Sequence, residues 1–123
     1  MQLGGSILPI LAALALLTGC HLPTHDQSKL KAIQAESERL FAAHPIEPSK
    51  GWADIPKNQW PPVIKSLHPY SVTVFGWGVD ITTKPYFDGG WGYEVPQGGK
   101  HDLPMPAGCY SELGHGVFWH GLC

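Results

Sequence analysis

The stretch Tyr70-Ser71-Val72-Thr73-Val74-Phe75-Gly76-Trp77-Gly78-Val79-Asp80-Ile81-Thr82-Thr83 decides the fold. Tyr70, Val72 and Val74 fall on one side and Ser71, Thr73 and Phe75 on the other. After Gly76-Trp77-Gly78 the alternation resumes, with Val79 and Ile81 set against Asp80 and Thr82. A period of two marks a strand with one buried face, and a glycine-containing turn between two such runs predicts a hairpin. Lys84-Pro85 breaks the pattern. Tyr86-Phe87 and residues 91–95 then flank Asp88-Gly89-Gly90, a second turn signal. The centre therefore reads as an antiparallel meander of three or four strands, and Val117-Phe118-Trp119-His120 supplies one more short strand.

Helices are expected upstream of this sheet. Over residues 28–43, Leu30, Ile33, Leu40 and Phe41 recur at helical spacing, with Ser37 as a polar interruption. Asp26 or Ser28 can cap the start, and Pro45 forces a stop. Residues 46–59 read as loop. Residues 60–67 suit a short helix, because proline is tolerated in a first turn, and Pro69 ends it. The predicted fold class is α+β, with an N-terminal helix and a short second helix packed on a small antiparallel meander sheet.

Composition narrows the function. The 123 residues carry a formal charge of -2. That balance argues against a nucleic-acid partner, which needs a basic face. Fifteen glycines, 12 prolines and five tryptophans suggest a turn-rich domain with aromatic packing.

An apolar run from Ile7 ends in Leu17-Thr18-Gly19-Cys20. This tetrad resembles the lipobox of bacterial lipoproteins. The run is shorter than the roughly 20 apolar residues that span a bilayer, which favours a processed signal over a retained span. Met1 to Ser6 contains no Lys or Arg, so only the α-amino group supplies positive charge there. The resemblance implies a signal peptide over residues 1–19, cleavage before Cys20 and acyl chains on its sulfur. Two or more such chains hold a protein stably in a membrane. A tether over residues 20–27 would lead into a single domain over residues 28–123. The residue after the cysteine is His21, and a residue other than Asp there favours the outer membrane over the inner.

Lipidation of Cys20 would leave Cys109 and Cys123. In an oxidising envelope an even remainder favours a disulfide between them. The rival reading is a reactive thiol at Cys109, served by His115 or His120.

Pro61-Pro62, Ile64, Leu67, Pro69, Val72, Val74, Gly78-Val79-Asp80-Ile81 and Trp91-Gly92-Tyr93 are similar to a pattern found in small uncharacterised bacterial proteins, many of them exported. The similarity over residues 60–95 rests on fold-type residues. It implies a fold and no activity.

Candidate chemistry is sparse. His101, Glu112, His115 and His120 crowd toward the C-terminus and are residue types that zinc takes. Glu112 and His115 would share a helical face, but Gly114 and Gly116 weaken a helix there. Neither H-E-x-x-H nor paired C-x-x-C is present, so these residues are expected to be ordinary polar residues, with no metal and no cofactor. Ser111 lies in no G-x-S-x-G context, and the Gly-Gly pairs lack the lysine of a phosphate loop. Trp77, Tyr86, Phe87, Trp91 and Tyr93 cluster around the hairpins. They either pack across strands or form a surface for a protein, peptide or cell-wall glycan. The expected function is a membrane-anchored, non-enzymatic binding or accessory module of the envelope. The alternatives are a metal- or thiol-dependent enzyme using the C-terminal residues and a purely structural lipoprotein.

Overall fold

A computed structural model describes residues 22–47, 49–87 and 89–123. The lipobox and Cys20 lie outside the described residues. The fold is α+β, as the alternation and the helical spacing predict. It contains helix α1 (Gln27–Ala43), strand β1 (Trp52–Asp54), helix α2 (Pro62–Ser66) and strands β2 (Ser71–Phe75), β3 (Gly78–Tyr86), β4 (Gly89–Pro96), β5 (Tyr110–Gly114) and β6 (Val117–His120). Three short 3-10 turns lie between them. No helix among the described residues is long and apolar enough to cross a membrane.

The strands form one antiparallel sheet in the order β1-β2-β3-β4-β6-β5. It is wider than the predicted meander. β1 lies in the segment read as loop and is recruited by the edge of β2. There Ala53 pairs with Val74, and the Thr73 hydroxyl donates to Asp54 Oδ1 at 3.0 Å. β5 forms a hairpin with β6 around His115 and Gly116, both in the left-handed region at φ 54° and 74°. Two such residues make the turn whose twist suits a hairpin.

α1 covers one face of the sheet. Asp26 caps it by accepting from the Lys29 N–H at 3.1 Å. Leu30, Ile33 and Leu40 are buried against Val72, Val74, Val79, Ile81, Tyr93, Val95 and Val117. This is the face that the alternation of β2 and β3 marks as apolar. β4 breaks the alternation. Gly92 to Pro96 are all buried, because this central strand has α1 on one side and a walled cleft on the other. Strands covered on both faces lose the in–out pattern.

Glu36 joins the two helices. It is buried at 5% exposure, and its Oε1 and Oε2 accept from the backbone N–H groups of Ile64 at 2.8 Å and Val63 at 3.1 Å. The first turn of α2 starts from Pro61 and Pro62, which have no N–H to satisfy. One carboxylate therefore meets both remaining orphan donors of that turn. Ahead of α1, the Thr24 N–H donates to the Tyr93 hydroxyl at 2.8 Å, so the segment read as tether is docked at Thr24.

Cys109 and Cys123 form the expected disulfide, with Cα atoms 5.8 Å apart. It binds the C-terminal residues to the turn before β5. Neither sulfur is then a thiol, which removes the nucleophile from the thiol-enzyme reading.

Candidate functional site on the open face of the sheet

The face away from α1 carries the polar set. The register aligns Thr73, Asp80, Glu94, Phe118 and Glu112 across the five strands from β2 to β5. The adjacent row aligns Ser71, Thr82, Gly92, His120 and Tyr110. Gly92 has no side chain between Thr82 and His120. That gap lets the imidazole lean across β4 toward the neighbouring row. His120 Nε2 lies 3.7 Å from Asp80 Oδ1 and 3.6 Å from Glu94 Oε1.

Neighbouring groups orient this cluster. The Thr82 hydroxyl donates to Asp80 Oδ2 at 2.8 Å, leaving Oδ1 for the histidine. The Tyr110 ring meets the His120 ring edge-on at 6.2 Å, and its hydroxyl accepts from the Met105 N–H at 3.1 Å. Glu94 and His120 are 5% and 6% exposed. Among the described residues, Glu94 Oε2 and both ring nitrogens of His120 lack a hydrogen-bond partner.

The electrostatics follow from burial and crowding. Burial, then the neighbouring Asp80 charge, pushes the Glu94 carboxyl up to about 7, against smaller opposing effects of Tyr110 and His120. For His120, burial alone would favour the neutral ring. Asp80 and Glu94 together outweigh it and raise its pKa above the ordinary histidine value. Burial holds the Tyr110 phenol protonated well above its ordinary range.

The cluster forms the floor of a cleft of about 990 Å³. The walls are apolar. Phe75 and Trp77 stack with centroids 5.5 Å apart, and Met105, Pro104 and Leu122 face them from the C-terminal region. Among the described residues, four of the six large apolar side chains that stand exposed, Tyr70, Tyr86, Phe87 and Leu122, line this cleft. The volume and the mix of apolar walls with a few polar groups are those of a ligand site.

The structure sorts the predicted residues. Trp77, Tyr86 and Phe87 line the cleft, whereas Trp91 and Tyr93 do not. Tyr93 is a core residue, 3% exposed and edge-on to Trp119. Trp91 shares its side of β4 with Tyr93 and takes Lys84 Nζ over its ring at 5.3 Å. Of the four weighed ligand types, His120 alone joins a cluster. His101 is exposed and pairs with Asp102 at 3.3 Å, His115 sits at the tip of the β5–β6 turn, and Glu112 is exposed on β5. Asp80 and Glu94 were missed as site residues. Each is the one carboxylate of its strand, and that isolation was the available signal.

No protein-family model, curated protein or solved structure matches this chain.

Proposed function

We propose that the chain is a lipid-anchored lipoprotein of the bacterial envelope, and that its domain is a non-enzymatic binding module whose ligand enters the open-face cleft. The anchor rests on the resemblance of Leu17-Thr18-Gly19-Cys20 to a lipobox. The binding role rests on one observation, the gathering of exposed aromatic side chains around a polar floor. Phe87 is the sharpest instance. It is 91% exposed and stands at φ 50°, a backbone region that costs a side-chain-bearing residue about 1–2 kcal/mol. Its ring touches Tyr86 edge-on, with centroids 4.7 Å apart. Strain of this kind collects at ligand clamps. Aromatic faces beside buried hydrogen-bonding groups suit a sugar ring or an extended peptide, so the partner class is a cell-wall glycan or an envelope peptide or protein.

The experiment is binding of the detergent-extracted chain to muropeptides and to envelope peptides. Trp77→Ala and Phe87→Ala should each weaken binding at least fivefold. Glu38→Ala, exposed on α1 and outside the cleft, should leave it unchanged. Equal binding in all four proteins would refute the cleft as the site. Intact mass of the membrane-extracted protein tests the anchor, and a mass matching the uncleaved, unmodified chain would overturn it.

A further inference from the structure

We propose that Asp80, Glu94 and His120 form a mononuclear site for a divalent transition ion of the zinc class, with one coordination position open to the cleft. This goes beyond the binding role and does not depend on what occupies the cleft above.

The geometry carries the argument. The three side chains come from β3, β4 and β6, and one donor atom from each lies within 4.8 Å of the other two. The separations of 3.6 and 3.7 Å from His120 Nε2 to the carboxylate oxygens are too long for N–H···O hydrogen bonds, which close at 2.7–3.2 Å. They are close to the edge of a tetrahedron around an ion with ligands about 2.0–2.2 Å away, an edge of about 3.3–3.6 Å. The two separations from His120 are thus those of ligands around a shared centre, and the two carboxylate oxygens lie within 4.8 Å of each other.

Burial gives an independent reason. Glu94 and His120 are both more than nine-tenths buried, yet Glu94 Oε2 and both ring nitrogens lack partners among the described residues. Buried polar groups are ordinarily satisfied, and exceptions call for an ion, a water or a functional role. Two carboxylates side by side in an apolar cleft repel each other. A dication would cancel both charges, and the neutral imidazole would complete an uncharged site. The surroundings are those of a supported metal site. Thr82 fixes the far oxygen of Asp80, and Tyr110 packs against the His120 ring.

The donor set selects the ion class. Calcium takes six to eight oxygens, and magnesium prefers an octahedron rich in water. One imidazole with two carboxylates suits zinc and its first-row neighbours. Three protein ligands with an open fourth position is the pattern of a site that binds a water or a ligand group directly.

The test uses the full chain, extracted in detergent, stripped with a chelator and titrated with Zn²⁺ by calorimetry. Co²⁺ serves as a second probe through its visible absorption. One equivalent should bind saturably, and Co²⁺ should give the strong visible bands of a low-coordinate site. Asp80→Asn and Glu94→Gln should each weaken Zn²⁺ binding at least tenfold. Both variants remove a carboxylate charge from a crowded pair at nearly constant volume, so their melting temperatures without metal should equal or exceed that of the wild type. The double variant His101→Ala, His115→Ala should bind as the wild type does. Absence of stoichiometric binding by the wild type would overturn the proposal. So would full binding by Asp80→Asn and Glu94→Gln, or loss of binding only in the His101, His115 double variant.

Discussion

Replacing Glu36 with alanine tests the non-local cap that joins the two helices. The carboxylate accepts from the Ile64 N–H at 2.8 Å and the Val63 N–H at 3.1 Å. Hydrogen bonds to a charged group contribute about 1.5–3 kcal/mol each, and a buried donor left unpaired costs a similar amount. The Ile64 bond is fully buried and the Val63 bond partly so. Pro61, at the N-cap, offers no side-chain acceptor to this turn. Glu36→Ala should therefore cost about 3 kcal/mol, with water recovering part of the Val63 loss. Glu36→Gln keeps one acceptor but turns a donor toward the other N–H, and should cost about 2 kcal/mol. In a domain of this size each kcal/mol lowers the melting temperature by roughly 4–8 °C, so Glu36→Ala should melt at least about 12 °C below wild type. The assay is thermal and urea unfolding followed by circular dichroism. Glu38→Ala, exposed on the same helix, is the control and should fall within about 0.5 kcal/mol of wild type. Equal melting of Glu36→Ala and Glu38→Ala would refute the reasoning.

Three further outcomes follow from the cleft and the sheet. In metal-free protein, Glu94 titrates near 7 when folded against an ordinary 4.5, so the folded state holds a proton that the unfolded chain releases. Stability should be greatest at acid pH and fall by on the order of 2 kcal/mol between about pH 5 and 8. The raised His120 pKa acts in the same direction, since its stabilisation is complete below the unfolded value and lost as pH rises through the folded one. Urea midpoints across that range should show the fall, and Glu94→Gln should flatten it; a rising profile would contradict the assignment. Gly92→Ala would drive its Cβ into the Ile81 carbonyl oxygen and should cost about 1–3 kcal/mol. Gly89→Ala, which meets nothing within 4 Å, should be nearly neutral in the same unfolding assay. Replacing Cys109 and Cys123 together with serine opens a crosslink of sequence separation 14 and should cost about 3 kcal/mol in the chain-entropy description. A urea midpoint equal to that of the oxidised wild type would show that the crosslink contributes nothing.

The helix, the first hairpin and the buried faces of β2 and β3 were legible because side-chain period reports directly on burial. The site was hidden by register. A turn centred on Gly89 would set Asp80 opposite Gly98. The strands instead close on the pair Tyr86 and Gly89, and with the bulge between Thr82 and Lys84 this sets Asp80 opposite Glu94. A left-handed phenylalanine is not a turn signal that composition reveals, whereas Gly89-Gly90 is an attractive false one. β1 was invisible because three residues, Trp-Ala-Asp, carry no measurable period and pair only because β2 offers an edge. The role of Glu36 was not legible, since the N–H groups that donate to it lie 27 and 28 residues away. The aromatic surface was half legible. Clustering in sequence marked Trp77, Tyr86 and Phe87, but alternation along β4 turned Trp91 and Tyr93 to the α1 side.

The bond from Thr24 to Tyr93 bears on reach. Tyr93 points to the α1 side of the sheet, so the chain is clamped on the side opposite the cleft. Thr24 lies four positions after Cys20, and an extended chain advances at most about 3.3–3.6 Å per residue. With lipid on Cys20, the clamp would stand no more than about 14 Å from the acyl attachment. The domain would ride close against the bilayer with its helical side down. The aromatic mouth would open outward, within reach only of partners that come to the membrane surface.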